Sequence, residues 1–219
     1  VYARAQEVVD MALAATQQPD ARPYDEDEHH ELATRVAAES ITLLRNEGGL
    51  LPLGAGTRVA LIGDMAETPR YQGAGSSQVN PTRLDRAHDL LADGGTRARG
   101  LVLEGYAPGY ARHGGTTDAL LAEASDVAAR ADVALVYVGL DELAESEGLD
   151  RPHMRLPDGQ AELIEAVVRA NPKTVIILSG GASVEMPSSF SSIFLTAYFV
   201  TRFPLESRPF IAKSEKSIS

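Results

Sequence analysis

Cysteine is absent from the 219 residues. That excludes disulfides and thiolate metal sites and leaves the redox compartment unread. Lysine is scarce, and 20 basic residues face 31 acidic ones, for a formal charge of -11. No Lys/Arg cluster is present to neutralise a phosphate backbone, so nucleic acid is excluded as a partner. No apolar run reaches the roughly 18 residues that span a bilayer, so no membrane partner is expected. The chain opens on Val1 without a basic, apolar and cleavage-site sequence behind it, reads as a cut from something longer, and carries no legible cellular address. Three chemical signatures are missing too. No G-x-S-x-G surrounds Ser76, Ser179 or Ser183, so serine-nucleophile chemistry has no support. His29, His30, His88, His113 and His153 show no H-x-x-x-H spacing, so no metal is expected. Gly73-Ala74-Gly75 is followed by Ser76, Ser77 and Gln78 instead of completing G-x-G-x-x-G, which argues against a dinucleotide, and no cofactor is expected.

What is present suffices for a core: 44% of the chain is apolar. Val8, Val9, Ala12 and Leu13 share one face of a helix expected over Val1–Thr16. Pro19 and Pro23 break it. The acidic stretch Asp25–Glu31 suits the positive end of a second helix. Leu32, Val36, Ser40, Leu43 and Leu44 mark its expected buried side, and Gly48-Gly49 its stop. From Arg58 onward, apolar strands at Val59–Ile62, Leu101–Leu103, Val133–Val138 and Thr174–Leu178 alternate with helices at Leu84–Ala92, Asp118–Arg130 and Asp158–Ala170. Continuous Val/Ile/Leu strands between amphipathic helices imply an α/β fold, a mostly parallel sheet sandwiched between helices. Such a sheet lines its strand C-terminal ends along one edge, where ligands bind. The Asp64–Ser77 loop, the Asp141–Arg151 loop and Ser179-Gly180-Gly181 all belong to that edge.

The Asp141–Arg151 loop concentrates the chemistry. It packs Asp141, Glu142, Glu145, Glu147 and Asp150 into eleven residues directly after the most apolar run, Asp132–Leu140. An acidic, glycine-containing loop at the end of a buried strand suits a catalytic site, and it equally suits a solvated surface loop. The end of the chain differs from its body. All five phenylalanines and eight of the serines lie after Pro187, and none of the 19 glycines does. This switch suggests a frameshift or breakpoint near Pro187, with a divergent terminal element containing a strand over Ile193–Val200 as the alternative.

Several motifs, in order, resemble the C-terminal α/β-sandwich domain of glycoside hydrolase family 3. They are Ala38-Glu39-Ser40-Ile41-Thr42-Leu43-Leu44-Arg45-Asn46-Glu47 with Leu50-Leu51-Pro52-Leu53, then Val59-Ala60-Leu61-Ile62-Gly63 and Gln72-Gly73-Ala74-Gly75-Ser76-Ser77. Next come Val138-Gly139-Leu140, Glu145-Ser146-Glu147-Gly148-Leu149-Asp150-Arg151, and Leu156-Pro157 with Gln160. Leu178-Ser179-Gly180-Gly181 and Val184-Glu185-Met186-Pro187 close the series. The resemblance implies three parts: a linker helix and connector (1–25) leaving a preceding barrel, the sandwich domain (26–187), and an atypical tail (188–219) that leaves the sandwich incomplete.

It also implies a retaining β-glucosidase-type hydrolase. In that family a (β/α)₈ barrel supplies an aspartate nucleophile and the sandwich domain supplies the general acid/base. Aligning the Glu-Gly-x-Asp-Arg core puts the acid/base on Glu147, with the nucleophile absent from this chain. Gln72, Gly73, Gly75, Ser76 and Ser77 would approach the sugar or line the cleft rim, or else form a plain surface loop. Glu145, Gly148, Asp150 and Arg151 are expected to scaffold the loop. Gly148 would let it fold tightly, and Arg151 would pair with Asp150. Crowded carboxylates at Glu145 and Asp150 would help Glu147 hold a proton. Half a carboxylate pair cannot carry out double displacement, so the chain alone is expected to be inactive. The alternatives are a stand-alone sugar-binding or barrel-docking module and a non-functional remnant.

Overall fold

The computed structural model describes residues 2–17, 24–76, 78–186 and 193–197. The chain divides into two compact units, Val1–Arg35 and Val36–Ser219. The first holds α1 (Tyr2–Thr16) and most of α2 (Glu26–Ser40). Asp25 caps α2, its Oδ1 accepting from the backbone N–H groups of Asp27 and Glu28 at 2.9 and 3.1 Å. Glu26, Asp27 and Glu28 then fill the first turn, where carboxylates complement the helix dipole. Neither helix contains a buried residue.

The second unit is built on one six-stranded sheet. Its elements are β1 (Ile41–Arg45), β2 (Arg58–Ile62), α3 (Ala87–Ala92), β3 (Val102–Ala107), α4 (Asp118–Arg130), β4 (Val133–Gly139), α5 (Gln160–Ala170), β5 (Thr174–Ser179) and β6 (Ile193–Ala197). The strand order is β1-β6-β5-β4-β2-β3. All pairs are parallel except β1 with β6. The α/β fold with a mostly parallel sheet is therefore as the periodicity implied.

Two expectations change. The second helix stops at Ser40, and Leu43 and Leu44 lie in β1 instead of on its buried side. Helical spacing continues past Ser40, but Ile41-Thr42 is β-branched and the segment finds a partner in β6, so pairing overrides the local period. Gly48 and Gly49 then turn the chain after a strand, at φ 81° and 67°. Strand β3 is longer than expected, reaching Ala107. It sits at the sheet edge, half-buried from Leu103 to Tyr106, with Glu104 and Gly105 inside it, so it offers no continuous apolar run. β6 lies beyond Pro187, so the sheet continues past the compositional break. Residues 18–23, Ser77, 187–192 and 198–219 lie outside the described residues.

Alternation along the strands splits the core between two faces. Ala60, Ile62, Val136 and Ile176 join Leu163, Ile164 and Val167 of α5 and Ala124 and Ala128 of α4 on one face. Val59, Leu61, Val133, Leu135 and Val175 form the other, with Leu50, Leu51, Leu53 and Leu91 packed against it. At the end of β4, the buried Gln160 carboxamide clasps Gly139, accepting its N–H at 2.9 Å and donating to its carbonyl at 3.0 Å. Gly139 needs no side chain, since a Cβ there would lie 1.9 Å from the Ser179 carbonyl oxygen. The clasp fixes where β4 ends and the acidic loop begins.

Candidate active site

The loops after β2, β4 and β5 converge at the strand C-terminal edge. They line a cleft of about 430 Å³ whose walls include Arg70, Gln72, Gly73, Ala74, Glu145, Ser146, Glu147, Leu149, Asp150, Arg151 and Gly181. Four of the five loop carboxylates can be followed through their partners.

Asp141 is buried, and its Oδ1 accepts from the N–H groups of Leu143 and Ala144 at 3.0 and 2.7 Å. Its Oδ2 meets Nδ1 of His113 at 2.9 Å. This carboxylate caps the first turn of the loop. Glu142 receives a two-pronged guanidinium contact from Arg112, at 2.9 and 2.7 Å. Arg112 also donates to Asp64 at 2.6 Å and to the Thr68 carbonyl at 2.8 Å, tying together the loops after β2, β3 and β4. That pairing pulls the Glu142 carboxyl down to about 2 and raises Arg112 further. Glu145 pairs with Arg70 in a largely buried contact and accepts the Gly181 N–H at 2.8 Å. Arg70 donates in addition to the Leu140 carbonyl at 2.8 Å.

Glu147 differs. It is exposed on the cleft rim, and among the described residues no Lys, Arg or His reaches ion-pair distance. Its Oε2 accepts from the Ser76 hydroxyl at 2.5 Å and from the Ser76 N–H at 3.3 Å. Those two donors hold its carboxyl below the usual range, the hydroxyl contributing most. The raising expected from Glu145 and Asp150 does not appear, and Glu145 is itself paired with Arg70. Asp150 lies exposed on the same cleft.

The serine-glycine loop comes to Glu147 directly. Gly75 has φ 87°, and a Cβ there would sit 3.1 Å from the Glu147 Cβ and 3.2 Å from Oε2. The positive φ favours glycine, and a Cβ would press on the Glu147 side chain. Gln72 does not reach Glu147; its carboxamide accepts the Val79 N–H at 2.9 Å and donates to the Val79 carbonyl at 3.1 Å, closing the loop on itself. Gly73 lines the cleft, and Ser77 lies outside the described residues. Gly148 takes φ 79° in the turn that brings the Leu149 N–H to the Ser146 carbonyl. Arg151 is not paired with Asp150; its Nη2 donates to the Ser183 carbonyl at 2.7 Å, anchoring the loop to the segment after β5.

Sequence reasoning missed Arg70 and Arg112. They are single arginines in loops, 75 residues from Glu145 and 30 from Glu142, and nothing local marks them. Among the described residues no group of three or more His, Cys, Asp or Glu is arranged to hold a metal ion.

Comparison with known proteins decides the family. The sequence model described as "Glycosyl hydrolase family 3 C-terminal domain" matches residues 41–201. The chain belongs to glycosyl hydrolase family 3. The match covers Glu147, Ser76 and every cleft residue, and it extends past Pro187 through β6. A thermostable beta-glucosidase B of Acetivibrio thermocellus is 45% identical over 165 residues, which are 75% of this chain and 22% of that protein. An exo-alpha-(1->6)-L-arabinopyranosidase of Bifidobacterium breve is 41% identical over 171 residues, again 22% of its length. Among solved structures, a family 3 beta-glucosidase of Bifidobacterium adolescentis superposes with a TM-score of 0.77 at 37% identity, covering 88% of this chain and 28% of that one. The chain thus spans about a fifth of the curated relatives it matches and corresponds to the C-terminal domain of larger family 3 enzymes.

Proposed function

We propose that the chain acts as the acid/base half of a retaining β-glucosidase-type hydrolase, with Glu147 as the general acid/base and the nucleophile on an N-terminal barrel. One observation carries this reading. Asp141, Glu142 and Glu145 are each engaged in holding the loops, whereas Glu147 lies on the cleft with Ser76 as its partner among the described residues, and of the two exposed cleft carboxylates, Glu147 and Asp150, it is the one at the motif's acid/base position. A carboxyl group that must give and take a proton is poorly served by a fixed arginine pair, and among the described residues Glu147 has none.

The chemistry requires two carboxyl groups roughly 5–5.5 Å apart. The barrel aspartate would attack the anomeric carbon while Glu147 gives its proton to the departing glycosidic oxygen. Water would then attack the glycosyl-enzyme, losing its proton to Glu147 and expelling the aspartate. In this chain Glu147 is ionised near neutral pH, since Ser76 favours the charged form. A barrel carboxylate placed opposite, together with burial under the barrel, would raise it toward the protonated acid. Leu143, Leu149 and Met154 are exposed around this loop and offer apolar area for that contact. A β-glucoside is the substrate class suggested by the relatives. The glucosidase and arabinopyranosidase relatives match 75% and 74% of this chain, which favours the barrel as the part that selects the sugar.

The test joins this chain to a family 3 barrel and measures hydrolysis of aryl β-glucosides. The chain alone should release no aglycone, and the joined enzyme should. Glu147→Gln should lower turnover of poor leaving groups by about 10²–10⁴. Azide should restore turnover of activated substrates and yield the β-glucosyl azide. A joined enzyme indifferent to Glu147→Gln would end the assignment.

A further inference from the structure

We infer that Ser76 is a positioning residue for Glu147, fixing its carboxylate over the cleft and tightening on it as the proton leaves in the first half-reaction. The inference rests on the acid/base reading of Glu147 and adds a residue from a different loop, 71 positions away.

Three features of the geometry support it. Ser76 donates twice to one oxygen, through the hydroxyl at 2.5 Å and the backbone N–H at 3.3 Å, so Oε2 is held by a two-donor cradle and Oε1 stays available to the cleft. Gly75 lets the loop pass directly against the Glu147 side chain; the space a Cβ would need is occupied by Glu147 Cβ and Oε2. The loop is itself braced by the double Gln72–Val79 contact, so Ser76 is not presented by a free end. An exposed glutamate without an ion pair would otherwise sample several rotamers, losing effective concentration at the reacting atoms.

The chemical consequence differs between the two half-reactions. A hydroxyl donor binds a carboxylate more strongly than a carboxylic acid. In the first half-reaction Glu147 must start protonated, and the Ser76 hydroxyl gains strength on Oε2 only as the proton leaves for the glycosidic oxygen. In the second, Glu147 starts as the carboxylate that Ser76 stabilises, oriented to take the proton from the attacking water. Loss of the hydroxyl should therefore impair orientation in both steps and raise the proton affinity of Glu147. The acid step should suffer more, because there the hydroxyl strengthens toward the transition state, whereas in the base step it stabilises the starting carboxylate.

The first arm of the test uses the full chain as it stands, with ¹³C-labelled glutamate followed by NMR from pH 2 to 8. Ser76→Ala should move the Glu147 midpoint upward, toward an ordinary glutamate, and Ser76→Thr should leave it near the original. The second arm uses the barrel-joined enzyme. Ser76→Ala should shift the basic limb of kcat/KM to higher pH and lower kcat/KM for aryl glucosides with poor leaving groups, where glycosylation needs the acid, by roughly 10-fold or more. It should change kcat/KM for activated aryl glucosides less, and Ser76→Thr should restore the loss. An unmoved midpoint in Ser76→Ala overturns the positioning role whatever the activity. A moved midpoint with unchanged kinetics overturns the role in catalysis. If Glu147→Gln is silent in that same enzyme, the acid/base reading fails first, and the two failures are told apart.

Discussion

Arg70 and Glu145 form an ion pair at the base of the cleft, with side chains only 7% and 14% exposed. The pair joins the loop after β2 to the acidic loop after β4. Through Glu145 it reaches Gly181 after β5, and through Arg70 it reaches the Leu140 carbonyl. Three strand ends are thereby held in one register under Glu147.

Breaking the pair from one side should be costly, because a lone charge stays behind in a dry place. Arg70→Met should destabilise the fold by about 3–5 kcal/mol, read from urea unfolding midpoints. The double variant Arg70→Met/Glu145→Leu should recover a substantial part of that loss, since no buried charge is stranded. If both singles leave the midpoint unmoved, the pair is not buried in solution.

Acid should loosen the cleft through Glu142. Its carboxyl is depressed from an ordinary 4.5 to about 2, chiefly by the hydrogen-bonded Arg112. A depressed carboxyl contributes stability that is complete above the unfolded value and is lost as pH falls toward the folded one. The Arg112–Glu142 contribution is therefore present above about pH 4.5 and disappears between there and about pH 2. Arg112→Gln should flatten the stability curve across that window, measured by urea unfolding at stepped pH. Equal slopes in the two proteins would contradict the assignment.

Gln160 should matter more to stability than its polarity suggests. It is 1% exposed and satisfies both backbone groups of Gly139. Gln160→Leu fills similar space and leaves a buried N–H and C=O unpaired, a cost of about 1–3 kcal/mol for each group. Calorimetry should show a lowered Tm, and hydrogen exchange should show the Gly139 amide losing protection. A Tm within a degree of the original would count against the clasp.

The alternating strands and helices were legible because each follows from a local period of apolar residues, and the sheet edge followed from their order. Glu147 is proposed on its motif, not on its charge, since five carboxylates in one loop look alike in sequence. Leu43 and Leu44 were misread because both a helix and a strand accommodate Ile41–Arg45, and only pairing with β6 selects the strand. The compositional change after Pro187 is real in the sequence, yet β6 and the family match both run beyond it. Composition records what residues are used, while pairing depends on backbone groups that nearly every residue carries.

The sequence by itself determined the α/β architecture, the order of strands and helices from β2 to β5, the position of the acidic loop and the family to which the chain belongs. The tertiary structure decided which partners its charged side chains meet. It gave Glu145 to Arg70, Glu142 to Arg112 and Arg151 to the Ser183 carbonyl, and it set Ser76 on Glu147. A carboxylate's role depends on the charge and donors within a few ångströms of it. Here the contacts across loops are supplied by residues 30 to 75 positions away, a separation that no local pattern encodes.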